Sequence, residues 1–351
     1  MKKILKRLLK NRHIKTFAMS MLRQLQAKQY LAHPSKVTGT FRTKGGESFK
    51  MYNDLREFLK PDWRSMLVPG ETYKLPNSSD IRNRIYSSEE KLEKLIQFLR
   101  SFDFHIKGKR ILEVGCYDGV KTFGLARRPI QSITGSDVTF YYVNESAADS
   151  NQSEAQTYLN QLRAKTLAQF NDSSHIVPKV SFVDDNINNT QLPHESYDLI
   201  VSWETLEHVT DPSAALLNMK NLLKSGGIIY HEYNPFFCLT GGHSLCTLDF
   251  PWGHALLNEE EMNNYLVQFR INEFDLAMKF YKESLNRMCM KDVLQISKTL
   301  DLEVLALIPW IEKDHLNLYN HWYLSAIQRN YPNVRMHDLL SPNVWLVLKK
   351  K

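Results

Sequence analysis

Cysteine is scarce in this chain: four residues in 351, at Cys116, Cys238, Cys246 and Cys289, and no two form a C-x-x-C pair. That argues against a zinc knuckle or a thioredoxin-like motif, and the four are read as small buried hydrophobes in a reduced compartment. Long apolar runs are absent too. Nothing approaches the ~20 residues that a membrane-spanning helix requires. Near the N-terminus lysines break every short apolar group, so there is no signal-peptide core. Acidic residues are missing from residues 1–40, which hold ten of the 45 basic side chains and none of the 38 acidic ones. The formal charge of +7 therefore belongs to that arm, while the body is nearly balanced. A basic surface spread over the whole body, as a nucleic-acid-binding protein would show, is not expected.

What is present begins with the arm itself, MKKILKRLLKNRHIK. Ile4, Leu5, Leu8 and Leu9 follow helical spacing among Lys2, Lys3, Lys6, Arg7 and Lys10. Such a helix suits an anionic membrane surface, here through residues 1–25, or packing on its own domain or a partner. Few aromatics interleave with the basic residues, which makes nucleic acid an unlikely partner. The expected location is cytoplasmic, with peripheral contact to the inner membrane face as one use of the arm. Residues 41–109 are read as an irregular and helical extension. Turn-rich stretches run to about residue 80, and Ser87 with Glu90 offers a capping box ahead of Leu92, Leu95, Ile96 and Leu99.

From residue 110 the pattern alternates. RILEV, SITGSD, VSFVDD, YDLIVSW and GIIYHEYN read as strands, with helices expected over residues 153–170 and 214–223, the second stopped by Gly226-Gly227. After residue 234 the alternation lapses into a stretch rich in aromatics and histidine, 235–288, read as a cap inserted after the fifth strand and joined by part of 40–85. A helix over 291–300 and the strands LEVLALIP and VWLVLKK close the chain. This order predicts an α/β fold: a doubly wound, mostly parallel, seven-stranded Rossmann-like sheet, spanning 110–351 with its cap.

The stretch ILEVGCYDG carries the most chemistry. A strand ends at Val114, and Gly115 and Gly119 permit a tight turn and close backbone approach to a ligand. Asp137 ends the next strand, where a carboxylate can accept both hydroxyls of a ribose. Together these call for an adenosine-containing ligand. The run is E-x-G-x-x-x-G rather than the G-x-G-x-x-G of dinucleotide sites, and Tyr117 stands where the second glycine belongs. A carboxylate at Glu113 would repel a pyrophosphate and attract an ammonium. That favours S-adenosylmethionine over NAD as the cofactor.

With ILEVGCYDG, the acid of ITGSD, SFVDDN and YDLIVSWETLEHVTDPSAALLNMKNLLKSGG in this order, residues 110–234 resemble the core of class I S-adenosylmethionine-dependent methyltransferases, in the broad group of the quinone-biosynthesis enzymes. The resemblance implies that Glu113, Gly115 and Gly119 surround the amino-acid part of the cofactor and that Asp137 holds its ribose. It further implies that Asp185 or Asn186 contacts adenine, that Trp203 and Glu204 border the cofactor, and that His208 is a structural loop residue. Two departures stand out: Asp118 at a place often held by a small residue, and about one extra helix between Asp137 and the third strand.

The cofactor residues of such a fold do not supply a general base. Candidates lie in the cap, where GGHSLCTLDFPWGHALL packs His243, Asp249, Trp252 and His254 among glycines, and on the fifth strand at His231. His243 or His254 is preferred, then His231. A metal held by His243, Asp249 and His254 matches no known ligand spacing, and no metal is expected. Tyr281, Glu283 and Arg287 are read as a solvated face. The expected activity is methyl transfer to a small-molecule, glycan or lipid-linked acceptor. An RNA or protein methyltransferase, a non-catalytic scaffold of the same fold and, more distantly, a nicotinamide enzyme are the alternatives.

Overall fold

A computed structural model describes residues 36–52, 55–60, 64, 67, 74–139, 152–171 and 173–351. The basic amphipathic segment 1–25 lies outside the described residues. Seven strands form one sheet: β3 (Arg110–Val114), β4 (Ser132–Asp137), β5 (Val180–Asp184), β6 (Tyr197–Trp203), β7 (Leu223–Tyr233), β8 (Leu302–Trp310) and β9 (Asn343–Lys350), in the order β5-β4-β3-β6-β7-β9-β8. The first five run parallel, and β9 is antiparallel to both β7 and β8. All seven strands expected from the sequence are present.

Side chains alternate between two apolar layers, as a strand's period of two requires. Ile111, Leu199, Val201 and Tyr230 enter one layer with Leu92, Leu95, Ile96 and Leu99 of helix α1 (Ser78–Arg100) and Phe123 of helix α2 (Val120–Ala126). Leu112, Val114, Ile200 and Ile229 enter the other, against Ala215, Leu216, Met219 and Leu222 of helix α4 (Pro212–Leu222). Helix α3 (Gln152–Leu167) is the extra helix between β4 and β5.

Three local expectations are corrected. Helix α1 begins nine residues before Ser87, because the Asn77 side chain accepts from the backbone N–H groups of Ser79 and Asp80; Ser87 and Glu90 are mid-helix. Helix α4 ends at Leu222, before Gly226-Gly227, because Leu223 already pairs with Tyr197 in the sheet. The stretch read as irregular holds an antiparallel hairpin, β1 (Val37–Arg42) and β2 (Ser48–Tyr52). Phe41, Phe49 and Met51, on one face of that hairpin, belong to a third apolar core.

This third core is the cap. It contains no strand over 235–288 but two full helices, α5 (Glu259–Phe269) and α6 (Phe274–Glu283), and it also takes in helix α8 (His321–Gln328), beyond helix α7 (Met290–Thr299) and β8. Phe49 stacks on Phe250 at 4.7 Å between ring centroids. The short helix Leu55–Leu59 is tied in by Arg56, which donates to the Ser244 carbonyl and pairs with Glu273 at 2.8 Å, all but sealed from water. Arg270 pairs with Asp249 at 3.1 Å. All four cysteines are buried free thiols. No helix among the described residues is long and apolar enough to cross a membrane.

Candidate active site

The parallel strands end together on one side of the sheet, at the point where the chain order reverses between β3 and β6. Open α/β sheets bind ligands in that crevice. Here it is a cleft of about 630 Å³, walled by the β3–α2 turn, the ends of β4 and β6, the loop after β5, helix α1 and the end of α6. Glu113, Gly115, Asp137, Asp185, Asn186, Trp203 and Glu204 all line it.

The turn after β3 explains its own glycines. Gly115 has φ +76°, and a Cβ there would stand 2.1 Å from Thr205 Oγ1, so the β6 turn fits against this one only without a side chain. Gly119 is the left-handed N-cap of α2, with Phe182 and Phe123 pressed against the Cβ position. It shapes the turn but is not among the cleft-lining residues. The Tyr117 N–H donates to Asp137 Oδ2 at 2.5 Å and the Val138 N–H to Oδ1 at 2.9 Å, which fixes the Asp137 carboxylate at the tip of β4. The Asp118 side chain accepts from the Val120 N–H and pairs with Arg84 of α1 at 3.2 Å.

Glu113 is nearly sealed and accepts a hydrogen bond from the Thr122 hydroxyl. Burial lifts its carboxyl to about 7, against the opposing pull of Lys121. Lys121 itself stands over the Trp203 ring, 5.3 Å from its centroid. Glu204 adopts φ +55°, and its N–H reaches back to the Glu232 carbonyl at 2.7 Å. Lys91 of α1 joins the carboxylates of Glu204 and Glu232 at 3.6 and 3.1 Å. Asp185 and Asn186 border the cleft, yet their side chains also hold their own loop. Asp185 accepts from the Thr190 hydroxyl and the Gln191 N–H, and Asn186 from the Asn188 N–H.

The histidines divide sharply. His231 is fully buried, shares a hydrogen bond with Ser202 inside the sheet, and is held down at about 3 by desolvation. His254 is also fully buried; its Nε2 donates to the Phe236 carbonyl at 2.7 Å. His243 packs its ring against those of His208 and Phe280. None of the three is among the lining residues, whereas His208, in the turn after β6, is. His208 Nδ1 donates to the Ser284 carbonyl at 2.7 Å, which leaves Nε2 as the lone-pair nitrogen. Its ring lies 4.7 Å from that of His243, and burial holds its pKa near 4. Asn286 anchors this turn by donating to the Leu206 and Val209 carbonyls. The sequence places His208 correctly in a loop but offers no sign that it borders the cleft or that the cap residue Ser284 holds its ring.

Glu207, His208 and His243 bring ligand atoms within 4.8 Å of one another, close enough to suit a divalent metal. Asp249 and His254 are engaged elsewhere, by Arg270 and Phe236. Tyr281, expected on a solvated face, is buried and bonded to the Leu257 carbonyl; Arg287 stacks on it at 4.3 Å. Glu283 does reach the cleft rim.

A doubly wound sheet with an antiparallel strand pair at one edge, and a carboxylate-bearing cleft across its strand ends, defines a Rossmann-like enzyme that handles a nucleoside-containing ligand. The family model for a methyltransferase domain matches residues 81–273, more than half of the chain. The chain belongs to the class I S-adenosylmethionine-dependent methyltransferases, and S-adenosylmethionine is its cofactor. Among similar curated proteins is the ubiquinone biosynthesis O-methyltransferase of Neisseria meningitidis serogroup C (strain 053442), 28% identical over 125 residues, 36% of this chain and 44% of that protein. The protein of the same name from Proteus mirabilis (strain HI4320) is 25% identical over 124 residues, 35% and 41% of the two chains. The chain thus spans under half the length of the curated relatives it matches. Among solved structures, an S-adenosylmethionine dependent methyltransferase from Mesorhizobium loti is 12% identical, covering 72% of this chain and 96% of that one, with a TM-score of 0.42.

Proposed function

We propose that this methyltransferase acts on a hydroxyl group of a small-molecule acceptor, free or carried on a glycan or lipid, and that His208 receives the proton. The observation that carries this reading is a single cleft holding the Asp137 carboxylate at the tip of β4 and the His208 imidazole at the turn after β6. The residues suit the cofactor. Asp137 is oriented by two backbone N–H groups to accept ribose hydroxyls. Gly115 keeps the turn bare for close approach, with Gly119 setting its curvature, and Glu113 offers a carboxyl to an ammonium. Asp185 and Asn186 border the adenine end; Trp203 and Glu204 flank the end nearest the acceptor. When bound, S-adenosylmethionine supplies an electrophilic methyl on a sulfonium.

The chain's own part is to align the acceptor oxygen and to take its proton. Neutral His208, with its proton fixed on Nδ1 by Ser284, can accept at Nε2. Glu204 favours the imidazolium that results. Because burial makes His208 a weak base, most of the rate enhancement rests on positioning. His243 packs behind His208 as support, in place of the direct role expected for it, and His254 and His231 serve the cap and sheet interiors. The relatives' printed name, O-methyltransferase, supports a hydroxyl acceptor. The acid-free arm supports contact with anionic membrane through residues 1–25.

The test is methyl transfer to a panel of phenolic and sugar hydroxyls by the full chain and by His208→Gln. Turnover should fall about 100-fold in the variant while cofactor affinity is unchanged. A variant as active as the parent removes His208 from proton transfer. Cofactor binding with no transfer to any acceptor would favour the scaffold reading.

A further inference from the structure

Asp137 borders two cavities. One is the cleft; the other is a chamber of about 60 Å³ that it shares with Gln156, Asn160 and Arg163 of helix α3. Those three stand at i, i+4 and i+7, on one face of the helix. Arg163 is buried, and its guanidinium lies over the Phe182 ring of β5, 4.5 Å from the centroid. Phe182 in turn fills the room that two glycines leave: a Cβ on Gly119 or Gly135 would stand 2.9 or 2.8 Å from its ring.

On that platform Arg163 holds the turn after β3. Its Nε donates to the Tyr117 carbonyl at 2.9 Å and a terminal nitrogen to Cys116 Sγ at 3.4 Å. The guanidinium thus grips the residues on both sides of one peptide, the peptide whose N–H donates to Asp137 Oδ2. Tyr117 needs such support, because its φ of +40° lies in the left-handed region that side chains rarely adopt. Its hydroxyl is bonded at 3.1 Å to that of Tyr158, which is also on α3. On the other side of the carboxylate, Oδ1 accepts from the Val138 N–H, and the next residue, Thr139, donates its hydroxyl to Gln156 Oε1 at 2.8 Å. Helix α3 therefore holds both short segments that aim the two oxygens of Asp137. A carboxylate meets two neighbouring hydroxyls at once only when its rotation is suppressed.

We propose that Arg163 and Gln156 are positioning residues for the cofactor: helix α3 orients the Asp137 carboxylate so that it accepts both ribose hydroxyls, and so sets the preference for a ribonucleoside donor. The proposal rests on the reading that Asp137 accepts those hydroxyls.

The test compares S-adenosylhomocysteine with its 2′-deoxy analogue by calorimetry on the full chain. The parent should bind the analogue about 30-fold more weakly. Arg163→Met should lose about tenfold for S-adenosylhomocysteine and be nearly indifferent to the analogue, which reduces the ratio to about threefold. Arg163→Lys keeps one donor for the Tyr117 carbonyl and should restore most of the ratio. Gln156→Leu should reduce it to about tenfold. With Asp137→Asn already in place, Arg163→Met should cost less than about twofold for either ligand. Equal losses for the two ligands, or a ratio that Arg163→Met and Gln156→Leu both leave at the parent's value, overturn the proposal. Where Arg163→Met has no cooperative melting transition, Gln156→Leu decides alone, and an unchanged ratio there overturns it. A parent chain that binds both ligands equally strikes the assignment of Asp137 to the ribose, and the proposal falls with it.

Discussion

Glu113 gives the sharpest test of the cleft, because its ionisation should be linked to the cofactor. Its carboxyl sits at about 7 when the cleft holds only protein, raised by burial from an ordinary 4.5. A carboxylate drawn to the cofactor's ammonium binds in its charged form, so below neutrality part of the binding energy goes into removing a proton. The sign follows: affinity should rise as pH rises towards 7. If binding restores an ordinary carboxyl, affinity improves roughly 15-fold between about pH 5.5 and 7, a slope set by one proton. The window ends there because α-amino groups begin to lose their own proton near pH ~8. Glu207, held up at about 8, stays mostly protonated across it, and His208, held near 4, stays mostly neutral. Titration calorimetry with S-adenosylmethionine in buffers of different ionisation enthalpy reads both the affinity and the proton released. Glu113→Gln should flatten the profile. A parent profile that is already flat, or a variant that keeps the slope, would show that Glu113 does not meet the ammonium.

Three further perturbations test other parts of the architecture. Asp137→Ala should weaken cofactor binding by about 1.5–3 kcal/mol through lost charge-assisted hydrogen bonds, read by calorimetry, and should also lower the melting temperature, because the Tyr117 N–H loses its acceptor. Gly115→Ala puts a methyl 2.1 Å from Thr205 Oγ1 on a backbone at φ +76°; it should destabilise the fold by about 1–3 kcal/mol in urea titration, and Thr205→Ala in the same chain should recover part of that loss. Arg56→Ala leaves Glu273 and the Ser244 carbonyl without their buried partner and should cost about 3–5 kcal/mol of cap stability, seen as early hydrogen exchange in α5 and α6.

Much of the sheet could be read from sequence because parallel strands buried on both faces leave short, continuous apolar runs. RILEV and YDLIVSW are of that kind, and the carboxylates that end neighbouring strands mark the crevice edge. The hairpin β1–β2 was missed: Phe41 faces Phe49 across Gly45-Gly46 with Met51 two residues on, but the turn-rich composition hid that short alternation. The start of α1 was obscured for a different reason. Two stretches, Asn77 onward and Ser87 onward, both carry capping chemistry, and only packing decides between them. Ile81 is buried, which draws the first two turns onto the core and leaves Ser87 inside the helix.

The histidines show where local pattern stops being informative. A ring's chemical role depends on what lies across from it, and here that comes from segments far apart in sequence. His254 occupies a glycine-flanked loop, as an exposed base might, yet the hairpin and α8 enclose that loop in an apolar core and the Phe236 carbonyl takes its N–H. His208 stands in a turn whose resemblance marks it as structural, yet Ser284, 76 residues later, fixes its tautomer, and Asn286 pins the turn that carries it. The cap therefore does more than cover the strand ends. By supplying the Ser284 carbonyl it fixes the tautomer of the one histidine found among the cleft-lining residues. A variant that moves the end of α6, without touching His208, should change the pH dependence of turnover and leave cofactor affinity as it was.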